Sequence, residues 1–411
     1  MNEQIERTDA VVVGAGLAGL AAAQLLRREG LRVVVLDPGP PGGRGRTDDH
    51  DGFLWNRGPH ALYLSGAAER VLRDLGVRWS GSAPGALHLR DGHVVGVGPS
   101  GAATLLRSPF LGWRGRAALA GTLTRLPRID AGALAGRSLA EWIDSLRLPT
   151  DARRLLTAIA RVSTYTNAPD ITAADMVVAQ LQQTLAHGVR YLDGGWQVLV
   201  DQLAKDIDVR PCAATAVGRD GDDVVVATAG MQFVADAAVL AVADPAGAAA
   251  LLGRAPFDVG PSVDAACLDL GTDRVPSAPV LLGLDEPLYL SDHGSAARLA
   301  PERHTVVHVA RYLTPGEHHD HHDTRAQLMA HAAAAGLPAE AVAASRYLHR
   351  MTVVGALATA AQGGLPGRPR TSGVAGVELA GDWVGPHGHL LDASMSSAAA
   401  AAAAVLHRSG R

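Results

Sequence analysis

Lysine is nearly missing from this chain: Lys205 is the single lysine among 37 basic residues. Cysteine is limited to Cys212 and Cys267, neither in a C-x-x-C pair, so a disulfide framework is not expected. Aromatic residues make up 4% and charged residues 19%. The net charge of −4 removes any general electrostatic reason to expect nucleic acid as a partner. No apolar run is long enough to span a bilayer, and the seven alanines Ala398–Ala404 read instead as a closely packed helix. The first strand-like run starts at Ala10, leaving no room for a signal peptide, so a soluble, cytoplasmic protein is expected. What the chain does have is length and apolar bulk. Its 411 residues, 47% of them hydrophobic, exceed what one core usually supports, and two domains are expected.

The strongest local pattern lies near the start, in DAVVVGAGLAGLAAAQLLRREGLRVVVLD. Ala10–Val13 and Arg32–Leu36 read as strands buried on both faces, and the stretch between them has helical apolar spacing closed by Gly30. Gly14, Gly16 and Gly19 form G-x-G-x-x-G at the strand–helix turn, and Asp37 ends the second strand. In such a unit the first glycine permits the turn, the second lets backbone approach a pyrophosphate, and the third brings helix onto strand. The turn residues Leu17 and Ala18 open the helix, whose free N–H groups suit phosphate oxygens. Asp37, followed by Pro38, suits a ribose and disfavours a 2′-phosphate. The pattern by itself leaves NAD and FAD open.

Two further stretches decide between them. PPGGRGRT places Gly42, Gly43 and Arg44 just past the second strand, and GFLWNRGPHALY follows at Gly52–Tyr63. Here the chain resembles the flavoprotein amine oxidase and phytoene desaturase superfamily. The resemblance implies FAD as cofactor, held without a covalent bond, with Gly42, Gly43 and Arg44 at the pyrophosphate. It also implies that Gly58, Pro59 and His60 lie beside the flavin ring. Asp37 stands where that family more often has glutamate.

The C-terminal stretch GVELAGDWVGPHGHLLDASMSSAAAAAAAVL is similar to the family's last FAD block. It implies Gly381 and Asp382 at the pyrophosphate and ribityl chain, and Leu391, Asp392 and Ala393 at the flavin pyrimidine edge, where a helix N-terminus offsets charge on the reduced ring. Between the blocks, residues 188–243 look like the family's return to the FAD domain, with Ala214 and Val217 on the adenine side. The three blocks cover somewhat under half the chain. The implied fold is α/β, a Rossmann-type FAD-binding domain of the GR2 flavoprotein type with an inserted α+β substrate domain. FAD binding falls to residues 1–85, 189–250 and 367–411, and a substrate-binding lid to 86–188 and 251–366.

Amine oxidases of this group usually place a lysine near the flavin, and Lys205 lies in the wrong context for that. The expected function is therefore FAD-dependent dehydrogenation of a largely apolar small molecule, a C–H bond giving hydride to flavin N5. Rivals are an amine or amino-acid oxidase releasing hydrogen peroxide, a redox-neutral flavin-dependent isomerase, and a flavin-stabilised scaffold without turnover. No second G-x-G-x-x-G is visible, so dioxygen or a quinone is the expected electron acceptor. His60 and Tyr165 are the catalytic candidates; the alternatives are a histidine that packs or bonds backbone and a core or capping tyrosine. Trp196, Trp383, His387 and His389 are expected around the flavin as pocket lining. The run EHHDHHD, Glu317–Asp323, reads as a solvated helix start, and no metal is expected. Membrane-surface association and oligomeric state stay open.

Overall fold

In the computed structural model, which describes residues 4–99 and 101–410, the apolar runs assemble into a five-stranded parallel sheet. Its order is Asp208–Arg210, Val33–Leu36, Ala10–Val13, Ala237–Leu240 and Val377–Leu379. Ala10–Val13 sits at the centre with every side chain buried, which is why it shows no polar alternation. All strands point the same way, so their C-terminal ends form one rim. Ligands of open α/β sheets bind at such a rim.

Two helices cover one face: Leu17–Arg28 and the C-terminal Leu391–Arg408. They meet through small residues, Ala18, Ala21 and Ala22 on one and Ala398, Ala401 and Ala402 on the other. The alanine run is thus a packing surface. A second sheet runs in the order Gln4–Arg7, Met231–Ala235, Asp223–Thr228, Ala214–Asp220; the last three form an antiparallel meander, and Gln4–Arg7 joins its edge in parallel.

A seven-stranded sheet forms the other half of the molecule. Its order is Val342–Val354, Val263–Thr272, Thr305–Tyr312, Leu288–Asp292, Val280–Gly283, Leu87–Asp91, Val94–Val97. Helix His321–Ala334 packs on one face through Leu328 and Ala332. The helices Trp113–Arg125, Leu139–Ser145, Thr150–Thr164 and Ala174–His187 contribute to the core on the other. The histidine run is a helix start: Asp320 caps it, its carboxylate accepting the His322 and Asp323 amides at 2.8 and 2.9 Å.

The close helix pair leaves no space for larger side chains. Ala398→Leu, at a fully buried position, should destabilise by about 1–3 kcal/mol through overpacking. Ala403→Leu, on the exposed face of the same helix, should be nearly neutral. Thermal melts of the two variants check this, and equal melting temperatures would contradict the packing.

Candidate functional site

At the rim of the parallel sheet lies a cavity of about 480 Å³. That is inside the usual range for small-molecule and cofactor sites. Its walls come from three separated parts of the chain: 13–63, 213–243 and 351–394, joined by Tyr165 and Trp196.

The first wall is the strand–helix turn. Gly14 has φ +108°, and a Cβ there would lie 2.5 Å from the Ala241 carbonyl oxygen. A Cβ on Gly19 would lie 1.9 Å from the Gly14 carbonyl oxygen, so the helix seats on the turn only without a side chain. Gly16 is different. Its φ of −70° suits any residue, and a Cβ would touch nothing within 4 Å. It borders the cavity, so its missing side chain leaves room for what enters there, not for the protein itself. Gly16 is also the N-cap of helix Leu17–Arg28 and supplies no side-chain acceptor, leaving first-turn N–H groups free for a phosphate.

Asp37 lines the same wall. Its carboxylate accepts the Ala15 amide at 2.7 Å and the Gly39 amide at 2.8 Å, which fixes both turns, and each oxygen keeps a further lone pair. The Gly42–Arg44 loop lies opposite, with Gly42 at φ +113° and its N–H on the Ala15 carbonyl at 2.7 Å. Arg44 spans the cavity: its guanidinium meets Asp382 at 2.7 Å and donates to the Val353 carbonyl at 2.8 Å.

The far end is apolar and aromatic. Pro59, His60, Ala61, Tyr63, Tyr165, Trp196, Met351 and Leu390 line it. His60 donates through Nδ1 to the Gly58 carbonyl at 2.8 Å and packs edge-on to Trp196 at 4.5 Å. Burial lowers its pKa to about 4, outweighing the backbone carbonyls of Gly58 and Arg44, so the ring is neutral at neutral pH. Tyr165 ends helix Thr150–Thr164 in a left-handed conformation, φ +57°, and stands edge-on to Tyr289 and Tyr312. Burial pushes its phenol well above the ordinary range, which keeps it a proton-bearing group. The indole Nε1 of Trp196 is buried without a partner, an unmet donor in the cavity wall.

At this end the C-terminal helix begins. Leu390 and Leu391 line the cavity, and Leu390, its N-cap, offers no side-chain acceptor. A second helix terminus therefore faces the site uncapped.

Several expected residues stand elsewhere. Asp392 turns away and accepts the Ala68 amide at 2.6 Å and the Gln183 side chain at 2.7 Å, serving the start of helix Ala67–Asp74. Ala393 and Val217 are buried in the core, and Gly19 packs against the turn. Gly58 lies behind the wall, where φ +90° and its missing Cβ make room for the Met351 methyl. Trp383 is fully buried behind the sheet, bonding the Val242 carbonyl at 3.1 Å and packing on Phe257. His387 is exposed, and His389 is buried against the Thr164 carbonyl at 3.0 Å, bracing the segment that carries Tyr165. None of these three lines the cavity. Conversely, Tyr63, Met351, Thr352, Val353, Leu390 and Ala241–Ala243 line it without having been expected. Tyr63 closes the GFLWNRGPHALY stretch, the one sequence signal that could have pointed to it.

The fold is mixed α/β, with a Rossmann-type strand–turn–helix unit forming one wall of the cavity. Residues 12–75 match the family model for an NAD(P)-binding Rossmann-like domain. A zeta-carotene-forming phytoene desaturase of Myxococcus xanthus is 42% identical over 69 residues, 16% of this chain and 13% of that protein. The carotenoid phi-ring synthase of Streptomyces griseus is 30% identical over 193 residues, 41% of this chain and 37% of that protein. These matches thus span well under half the length of either relative. Over the whole fold, putrescine oxidase superposes with a TM-score of 0.76 at 16% identity, covering 98% of this chain and all of that one. Cyclohexylamine oxidase from Brevibacterium oxydans gives 0.71 at 17%, with 98% and 100% covered. Over these stretches the chain is similar to phytoene desaturases and a carotenoid ring synthase, and its overall fold is that of the amine oxidases named.

The residues of the cavity fit FAD, the cofactor implied by the sequence resemblance, by the space at Gly16, the uncapped helix starts and the unmet Trp196 donor. Gly16→Ala should leave the melting temperature of the nucleotide-free protein unchanged yet weaken FAD binding at least tenfold. Gly19→Ala should cost roughly 1–3 kcal/mol of stability by overpacking. Melts with and without FAD, together with a flavin titration, separate the two roles. Equal behaviour of the pair would contradict them.

Proposed function

We propose that the protein is an FAD-dependent oxidoreductase that dehydrogenates a small, largely apolar molecule. FAD supplies the hydride-accepting chemistry. Residues 1–85, 189–250 and 367–411 hold it, and 86–188 and 251–366 cover the substrate. The observation that carries the substrate reading is the character of the far end. The acids that line the cavity are Asp37 and Asp382. Asp37 is tied to two amides and Asp382 to Arg44. Neither stands at the Tyr63–Tyr165 end, so a cationic amine would lose its hydration there without a counter-charge. A neutral, apolar substrate meets no such cost. Neutral His60 can accept a proton, and Tyr165 orients and shields. Dioxygen or a quinone would reoxidise the cofactor.

Purified protein should be yellow, and its flavin should bleach anaerobically with members of an isoprenoid panel and not with amines. Bleaching with amines alone, with peroxide released in air, would replace this reading by an amine oxidase. Turnover only after prior reduction would replace it by an isomerase. Flavin that no substrate reduces would indicate a scaffold.

The segment 93–129 supports contact with an anionic bilayer surface, from which an apolar substrate could be drawn. It carries five arginines and no acid or lysine, within a chain of net charge −4. Leu106 and Trp113 there are 65% and 73% exposed, and Val94 and Val97 are also exposed. Helix Trp113–Arg125 packs on the helix that ends at Tyr165. No helix among the described residues is long and apolar enough to cross a membrane, so any contact would be at the surface. The protein should float with anionic vesicles and not with zwitterionic ones, and Trp113→Glu should abolish flotation. Binding that ignores lipid charge, or survives Trp113→Glu, would contradict this.

A further inference from the structure

Behind the wall formed by His60 and Trp196 lies a buried polar cluster that the proposed reaction has not yet used. Strands Val263–Thr272 and Thr305–Tyr312 pair Asp269 directly with His308, and both side chains are fully buried. His308 donates through Nδ1 to Asp269 Oδ1 at 2.5 Å, and the Cys267 thiol donates to the same oxygen at 3.2 Å. The other carboxylate oxygen receives Arg346 Nε at 2.9 Å and Nη2 at 2.6 Å. Burial alone would raise this carboxyl, yet His308 and Arg346 hold it below the usual range. Cys267, Asp269 and His308 are close enough to resemble metal ligands, but Arg346 already supplies the cation.

The far nitrogen of His308 is the informative atom. Nε2 is buried with no partner, and so are both ring nitrogens of His293, whose ring stands edge-on to His308 at 4.5 Å. Tyr191 stacks on His293 at 3.6 Å and bonds Ser291, the residue opposite His308 on the next strand. Arg346 also donates to the Asn56 carbonyl, and the Asn56 side chain accepts the Trp196 amide at 3.0 Å. The cluster is thereby tied to the cavity wall. An unpaired imidazole nitrogen in a dry interior is costly unless it serves a function or meets a mobile proton.

We propose that the Asp269–His308 pair is where the proton released by the reaction is held. The inference rests on the FAD reading above. In the dehydrogenation, the substrate loses a hydride, two electrons and one proton, to the ring, and a second proton to the protein. His60 is the first acceptor, but its imidazolium is disfavoured by burial and by the neighbouring Arg44 guanidinium. His308 offers a better resting place because Asp269 stabilises its charge. Atoms and charge balance: the hydride would carry one proton with the electron pair to bound FAD, the second proton would go to His308, and the uncapped start of helix Leu391–Arg408 would offset negative charge on the reduced cofactor.

The test needs no substrate. The pH dependence of the flavin midpoint potential around neutral pH, titrated against reference dyes, counts protons taken up per electron pair. Wild-type holoprotein should take up two. His308→Gln, which can still donate to Asp269, should take up one while keeping its flavin and its melting temperature. One proton in the wild type, or two in the variant, would overturn the inference. Should the variant fail to fold, the wild-type count still decides. A chain that holds no FAD would overturn the function reading itself, whereas a flavin-loaded chain with the wrong count overturns only this step.

Discussion

A helix that begins without a capping side chain leaves several N–H groups searching for an acceptor. Some helices are closed by their own N-cap side chain, as Ser138, Asp244 and Asp320 each bond the first turn of the helix they precede, and others, after Pro149 and Ala173, are not. At the two helices that open on the cavity, Gly16 and Leu390 bring no acceptor. One terminus lies at the turn after the first strand and the other lies more than 370 residues later, yet the parallel sheet carries both to one rim. The site is held together by that convergence, and by the Arg44–Asp382 pair that joins the first wall to the last.

The rest of the cavity follows from what must not be there. On the proposed reading, the acid-poor, aromatic end would let an apolar molecule lie there without losing hydration it cannot recover. Near-absence of lysine matters because it removes one source of a basic group, leaving histidine to handle protons. His60 is placed for the cavity, and the more deeply buried His308 gains from a carboxylate what His60 lacks. The seven-stranded sheet thus lines the cavity through Met351–Val353 and also brings polar groups behind it.

Much of the first wall was legible in the sequence because its constraints are local. Gly14 is required by its positive φ at the turn and Gly19 by the Gly14 carbonyl within one strand–turn–helix unit, and Asp37 bonds the Ala15 amide of the same unit. The α/β fold and the resemblance to flavin-dependent oxidoreductases followed from such blocks. The C-terminal wall was legible only as a stretch. Along a helix the facing residue changes by about 100° per position, so Leu391 and Ser394 reach the cavity while Asp392 and Ala393 turn from it. Trp383 and His387 likewise belong to the right loop but point behind the sheet or into solvent. Met351–Val353 carry no motif; they arrive by strand pairing across the molecule, as does the Asp269–His308 pair. Register between distant strands is not written in any local pattern.

The central claim, that distant backbone segments grip one FAD together, is tested most directly by amide hydrogen exchange with and without the nucleotide. The account predicts slowed exchange at the first turn of helix Leu17–Arg28, at 42–44 and at the first turn of helix Leu391–Arg408, with the same dependence on FAD concentration. Protection confined to the N-terminal turn, with the C-terminal helix start unchanged, would contradict it.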